Sequence, residues 1–164
     1  MITICVSGTP GTGKTTLSKK LSKKLNFYYL DVTALISKYK LSEGFDKKRK
    51  TKIIDVKKLN GKLIDEIKAI IKTKKFHGII IDSHLSHYLP RKYVDLCIVT
   101  KCGINELNKR LKRKKFHKDK IQENLQAEIF DICLNEAKER KHKTIVVDTT
   151  KGFNISNIAG KVGG

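Results

Sequence analysis

Short, near-continuous apolar runs alternate along the chain with longer stretches whose apolar positions recur at helical spacing. The runs Thr3–Ser7, Tyr28–Asp31, Gly78–Asp82, Val94–Val99 and Thr144–Asp148 are rich in β-branched residues. Runs of this kind predict strands buried on both faces of a parallel sheet. Helical patterns cover Lys14–Leu25, Val32–Tyr39, Lys57–Lys72, Asn105–Lys114 and Lys120–Lys141, with a short final one from about Asn154 to Val162. In the last long pattern Ile121, Leu125, Ile129, Ile132 and Leu134 make an apolar stripe, which predicts a core-facing side. Two stretches break the rhythm. Leu41 to Lys52 is polar and lysine-rich around Gly44, and Lys112 to Lys120 is basic. The alternation predicts a three-layer α/β fold on a parallel five-stranded sheet, in one domain over residues 1–164, with no internal repeat or linker.

The junction between the first strand and first helix carries the chemistry. Residues Gly8 to Thr15 read Gly-Thr-Pro-Gly-Thr-Gly-Lys-Thr, a phosphate-binding loop at its required spacing and between the required elements. Gly11 and Gly13 let successive N–H groups turn toward an anion, and the helix start adds its positive dipole end. Lys14 is expected on the β- and γ-phosphates of ATP, the Thr15 hydroxyl on Mg²⁺, and Thr16 toward the α-phosphate.

A second set of residues follows the strand Gly78–Asp82. Its terminal carboxylate, Asp82, stands where an acid associated with Mg²⁺ belongs in such a protein. His84, two residues on, either orients a water or phosphate and moves a proton, or is a loop histidine satisfied by solvent. His87 reads as an ordinary loop residue. Arg91 either clamps the acceptor phosphate or caps the next element. Arg110, Arg113 and Lys114 are candidates to neutralise a transferring phosphoryl group, although Arg110 could equally face solvent. The loop Asp148 to Lys151 either packs against adenine, with Lys151 at the nucleotide, or is a polar turn.

Composition adds two constraints. The 36 basic and 16 acidic residues give a net charge of +20, nearly all of the positive charge from lysine. That balance suits a polyanionic partner such as RNA or a ribosomal particle, or reflects lysine bias with solvated side chains. Cysteines 5, 97, 102 and 133 form no Cys-x-x-Cys pair. They read as free thiols of a reducing, cytoplasmic protein. No apolar stretch approaches the ~20 residues of a membrane span.

The loop Gly8–Thr16, the triple Asp82-Ser83-His84, Arg110-Leu111 and the block Lys120 to Ala137 together resemble the adenylate kinase isoenzyme 6 family, over nearly the whole chain. The resemblance implies a nucleoside monophosphate kinase-like fold. Within it, a monophosphate-binding segment would span about residues 31–54 and a short lid about residues 113–123. It implies ATP:AMP phosphotransfer with AMP as acceptor, and an ATPase activity in which His84 takes part. It also implies a role in small-subunit rRNA maturation beside a ribosomal protein of the subunit platform. Two readings stand beside it: an ATPase switch with little kinase activity, and a small P-loop kinase for another acceptor. The chain departs from the family pattern at Lys114-Lys115-Phe116, where Arg-Gly-Tyr is usual, and at Lys101, where arginine is usual. The lid has no zinc-binding cysteines.

Overall fold

The computed structural model describes residues 1–48 and 51–163. Five parallel strands form the central sheet: β1 (Ile2–Ser7), β2 (Phe27–Asp31), β5 (Gly78–Asp82), β6 (Leu96–Lys101) and β7 (Thr144–Asp148). Their order is β2-β5-β1-β6-β7, so β1 lies at the centre. Alternation along β1 divides the core. Ile4 and Val6 meet α1 (Lys14–Leu25) and α7 (Ile155–Val162) through Leu17, Leu21 and Ile158. Cys5 faces the opposite layer, where α3 (Val56–Thr73) contributes Leu59, Leu63, Ile67 and Ile70. The expected three layers and five strands are present, with β6 beginning two residues later than its apolar run.

Three features differ from expectation. The polar stretch after α2 (Val32–Lys38) is a hairpin, β3 (Ser42–Asp46) and β4 (Thr51–Ile54), set apart from the main sheet. Its side chains are mostly exposed, so it carries no apolar run to mark it. Part of the 31–54 segment, Arg49 and Lys50, lies outside the described residues.

The long C-terminal pattern is two helices, α5 (Lys118–Ile129) and α6 (Ile132–Glu139). Asp131 between them has a left-handed backbone, φ 52°. Lys101, at the end of β6, donates to the Glu128 carbonyl at 2.8 Å and ion-pairs with both Glu128 and Asp131. This tertiary clamp fastens the break. It also splits the apolar stripe. Ile121 and Leu125 pack on α4 (Ile104–Arg113), and Leu134 packs on the main core. Ile129 and Ile132 are exposed beside Phe130.

The third correction concerns Arg91. The chain leaves β5 at the sheet's C-terminal edge and must return to the N-terminal edge to begin the parallel β6. By Asp95 it has arrived: the Asp95 N–H donates to the Thr3 carbonyl at 2.9 Å, and Thr3 N–H to Asp95 Oδ2 at 2.7 Å. Arg91, four residues earlier, lies on this descent, in a short 3₁₀ turn, and does not line the cleft around the phosphate loop.

Candidate active site

The phosphate loop spans the gap between β1 and α1 at the C-terminal edge of the sheet. Gly8 turns the chain with φ 141°, and a Cβ there would meet Thr100 Oγ1 at 2.4 Å and the Thr100 carbonyl at 2.7 Å. Gly13, with φ 90°, opens α1 without a side-chain cap, leaving first-turn N–H groups free to face an anion. Hydroxyls hold the loop from beneath. Thr12 Oγ1 lies 2.6 Å from Thr100 Oγ1, and Thr149 Oγ1 donates to the Thr12 carbonyl at 2.6 Å. Arg110 completes the frame. Its guanidinium donates to the Thr149 carbonyl at 2.8 Å and to Thr149 Oγ1 at 3.1 Å. It does not stand free: half-buried at the cleft, it is also a strut between α4, the phosphate loop and the turn after β7.

Around the loop lies a cleft of about 920 Å³. Lys14, Thr15, Thr16 and Asp82 form its floor with Gly11 and Gly13. The Lys14 ammonium donates to the Gly8 and Thr9 carbonyls at 2.9 and 3.1 Å. Burial pushes its pKa down to about 8, with Lys114 adding to that push and Cys133 and Asp82 opposing it. Thr15 Oγ1 donates to Asp82 Oδ2 at 2.7 Å. This pair of hard oxygens suits Mg²⁺, which takes oxygen ligands and keeps several waters. The same Asp82 oxygen accepts from the Tyr29 hydroxyl at 2.9 Å. Desolvation, and then Asp82, push the Tyr29 phenol well above its ordinary range. No sequence signal marked Tyr29, because its partner lies on another strand; only the pairing of β2 with β5 brings them together.

His84 also lines the cleft, as do Arg110, Arg113 and Lys114, which make a basic rim. The protein packed around it, and then the charges of Lys14, His87 and Lys120, push His84 down to about 4. Its ring nonetheless opens to the cleft, so it is a neutral imidazole able to accept a proton or a hydrogen bond. At the other wall Gly152 and Phe153 face the cleft, whereas Lys151 is exposed and does not line it. Asp148 instead ties its own turn, accepting from Thr150 N–H at 2.8 Å. Arg91 is likewise absent from the lining. Lys101 is committed to its clamp and does not reach the loop. The end nearest α2 is lined by Asp31, Thr33 and Ile36.

Comparison with known proteins gives a consistent picture. A family model described as an AAA domain matches residues 4–131. A protein of Methanocaldococcus jannaschii is 38% identical over 97% of this chain and 82% of its own length. An adenylate kinase isoenzyme 6 homolog of Caenorhabditis elegans is 32% identical over 87% of this chain and 76% of its own. One of Saccharomyces cerevisiae is 32% identical over 95% and 78%. Among solved structures, shikimate kinase from Acinetobacter baumannii superposes with TM-score 0.60 at 15% identity, over 99% of this chain and 90% of that one. Deoxyadenosine kinase from M. mycoides superposes with TM-score 0.58 at 17% identity, over the full length of both. The structures attest the fold and the sequence relatives attest the lineage: the chain belongs to the adenylate kinase isoenzyme 6 family of P-loop proteins.

Proposed function

We propose that the protein transfers the γ-phosphoryl group of ATP to AMP, hydrolyses ATP at the same site, and serves in small-subunit rRNA maturation. One observation carries the catalytic part: Lys14, the Thr15–Asp82 pair, His84 and the basic rim of Arg113 and Lys114 converge on one cleft. The names of the relatives direct the choice of donor and acceptor.

Phosphoryl transfer needs little covalent help from a protein, so the residues act by position and charge. The loop N–H groups and Lys14 hold the β- and γ-phosphates. Thr15 and Asp82 would hold Mg²⁺, which would supply positive charge against that of the phosphates. Arg113 and Lys114 face the phosphoryl group from the rim; Lys114 brings charge without arginine's planar fork. His84, neutral, accepts a hydrogen bond from the attacking water in hydrolysis. The AMP end is the wall of Asp31, Thr33 and Ile36 rather than Arg91. The net charge of +20 supports an RNA-bearing partner, a small-subunit ribosomal protein with its rRNA.

The test is a product assay with ATP, Mg²⁺ and each of AMP, CMP, GMP and UMP, beside a sample without acceptor. ADP formation that requires AMP supports the kinase. Phosphate release indifferent to every acceptor would replace it with an ATPase switch.

A further inference from the structure

Beneath the phosphate loop runs a polar chain, buried at Ser7 and His87, that the transfer chemistry does not use. Ser7, the last residue before Gly8, places Oγ 2.6 Å from His87 Nδ1. His87 Nε2 lies 2.7 Å from Glu136 Oε2 on α6, and the Tyr88 hydroxyl donates to the same oxygen at 3.0 Å. Ser7 and His87 are buried to 0% and 1% exposure. The carboxylate fixes the proton arrangement. An ionised Glu136 only accepts, so Nε2 carries hydrogen, Nδ1 accepts, and Ser7 Oγ–H donates to it. Serine, histidine and glutamate in that order match a hydrolytic triad, but a wholly enclosed Ser7 has no access to substrate. Its role has to be mechanical.

The chain joins three parts that must keep register. Ser7 leads directly into the loop. Its Oγ also lies 3.5 Å from the His84 carbonyl, and the neighbouring Val6 carbonyl accepts from Ser83 N–H and from Ser86 Oγ. His87 itself is held from below, its carbonyl 2.9 Å from His142 Nε2. Glu136 connects all of this to α6.

We propose that His87 is a positioning residue. Through Ser7 it sets the spacing between the phosphate loop, which grips the nucleotide, and the Asp82–His84 turn, which addresses the reacting end. The inference rests on the reading of the cleft as a phosphoryl-transfer site. Spacing between two holders of one group matters more in the transition state than in the ground state. Its loss therefore lowers kcat and leaves KM for ATP nearly unchanged.

Asparagine and glutamine at position 87 separate the two halves of the chain. His87→Asn keeps an acceptor near Nδ1 for Ser7. His87→Gln keeps a donor near Nε2 for Glu136. Turnover is measured well below each variant's melting temperature. The expected result is His87→Asn near wild type, with His87→Gln and Ser7→Ala each lowering kcat by roughly tenfold. The double variant Ser7→Ala/His87→Gln should fall no further than either alone. Equal kcat in all variants with lowered melting temperature, or equal loss in Asn and Gln variants, overturns the proposal. The wild type with and without AMP judges the kinase reading separately, because the variant ratios are read on whichever reaction, transfer or hydrolysis, the wild type performs. A wild type that performs neither overturns both.

Discussion

Lys14 stands in an environment that lowers its ammonium pKa to about 8. Affinity for ATP is therefore expected to weaken as pH rises through that value, by a titration that Lys14→Arg abolishes. Lys14→Ala should lower turnover by roughly 10²–10³-fold, the scale for losing one preorganised cation at a developing charge. His84 leads to an opposite expectation. Held down to about 4, it stays neutral across the ordinary working range, so the hydrolysis rate should show no acidic limb near 6.5. A limb at that position, lost in His84→Ala, would show instead that the ring titrates as a free imidazole. Tyr29→Phe removes one hydrogen bond from Asp82, worth about 1 kcal/mol, and should raise the Mg²⁺ concentration for half-maximal rate roughly fivefold. The loop residues were legible in the sequence because a local spacing encodes them. Tyr29, Ser7, His87 and Glu136 were not, because each acquires its role from a partner tens of residues away.

At the level of elements, the strands showed plainly, since burial on both faces writes itself as an unbroken apolar run. The hairpin β3–β4 did not, having little buried surface to record. The break between α5 and α6 also escaped, because its cause is Lys101 on another element. Lys101→Met should expose that dependence. It leaves the Glu128 carboxylate, 4% exposed, without its cation, at a cost of about 3 kcal/mol or more in chemical denaturation. Adding Glu128→Gln should recover much of the loss. A gentler case is the turn after α4. Lys115 holds a left-handed backbone, φ 56°, a conformation that glycine adopts most readily. Lys115→Gly should stabilise by about 1 kcal/mol, since glycine adopts that conformation without steric penalty. Arg91 carries the opposite lesson: its nearness in sequence to Asp82 suggested a place in the cleft, and the crossover to β6 leaves it off the lining.

For the whole molecule, charge and histidine burial set the response to solution conditions. A net charge of +20 repels itself, so stability should rise from low to physiological salt as screening takes hold. Acid should act in the other direction. His84 and His87 both lie below their ordinary pKa in the fold, so the unfolded chain binds more protons below about 6.5, in the case of His84 down to about 4. Stability is complete above 6.5 and declines as pH falls through that window, which melting curves across it would record. The sheet order carries one more consequence, for the timing of synthesis. β1 emerges from the ribosome before both of its neighbours, and the phosphate loop emerges with it. The braces of that loop, Thr100, Arg110 and Thr149, emerge much later, the last of them after β7. A nascent chain stalled before Thr149 would hold a complete nucleotide motif without the Thr149 hydroxyl and the Arg110 anchorage that depends on it. Competence to bind ATP thus arrives late and all at once, as a report that the whole sheet has been assembled.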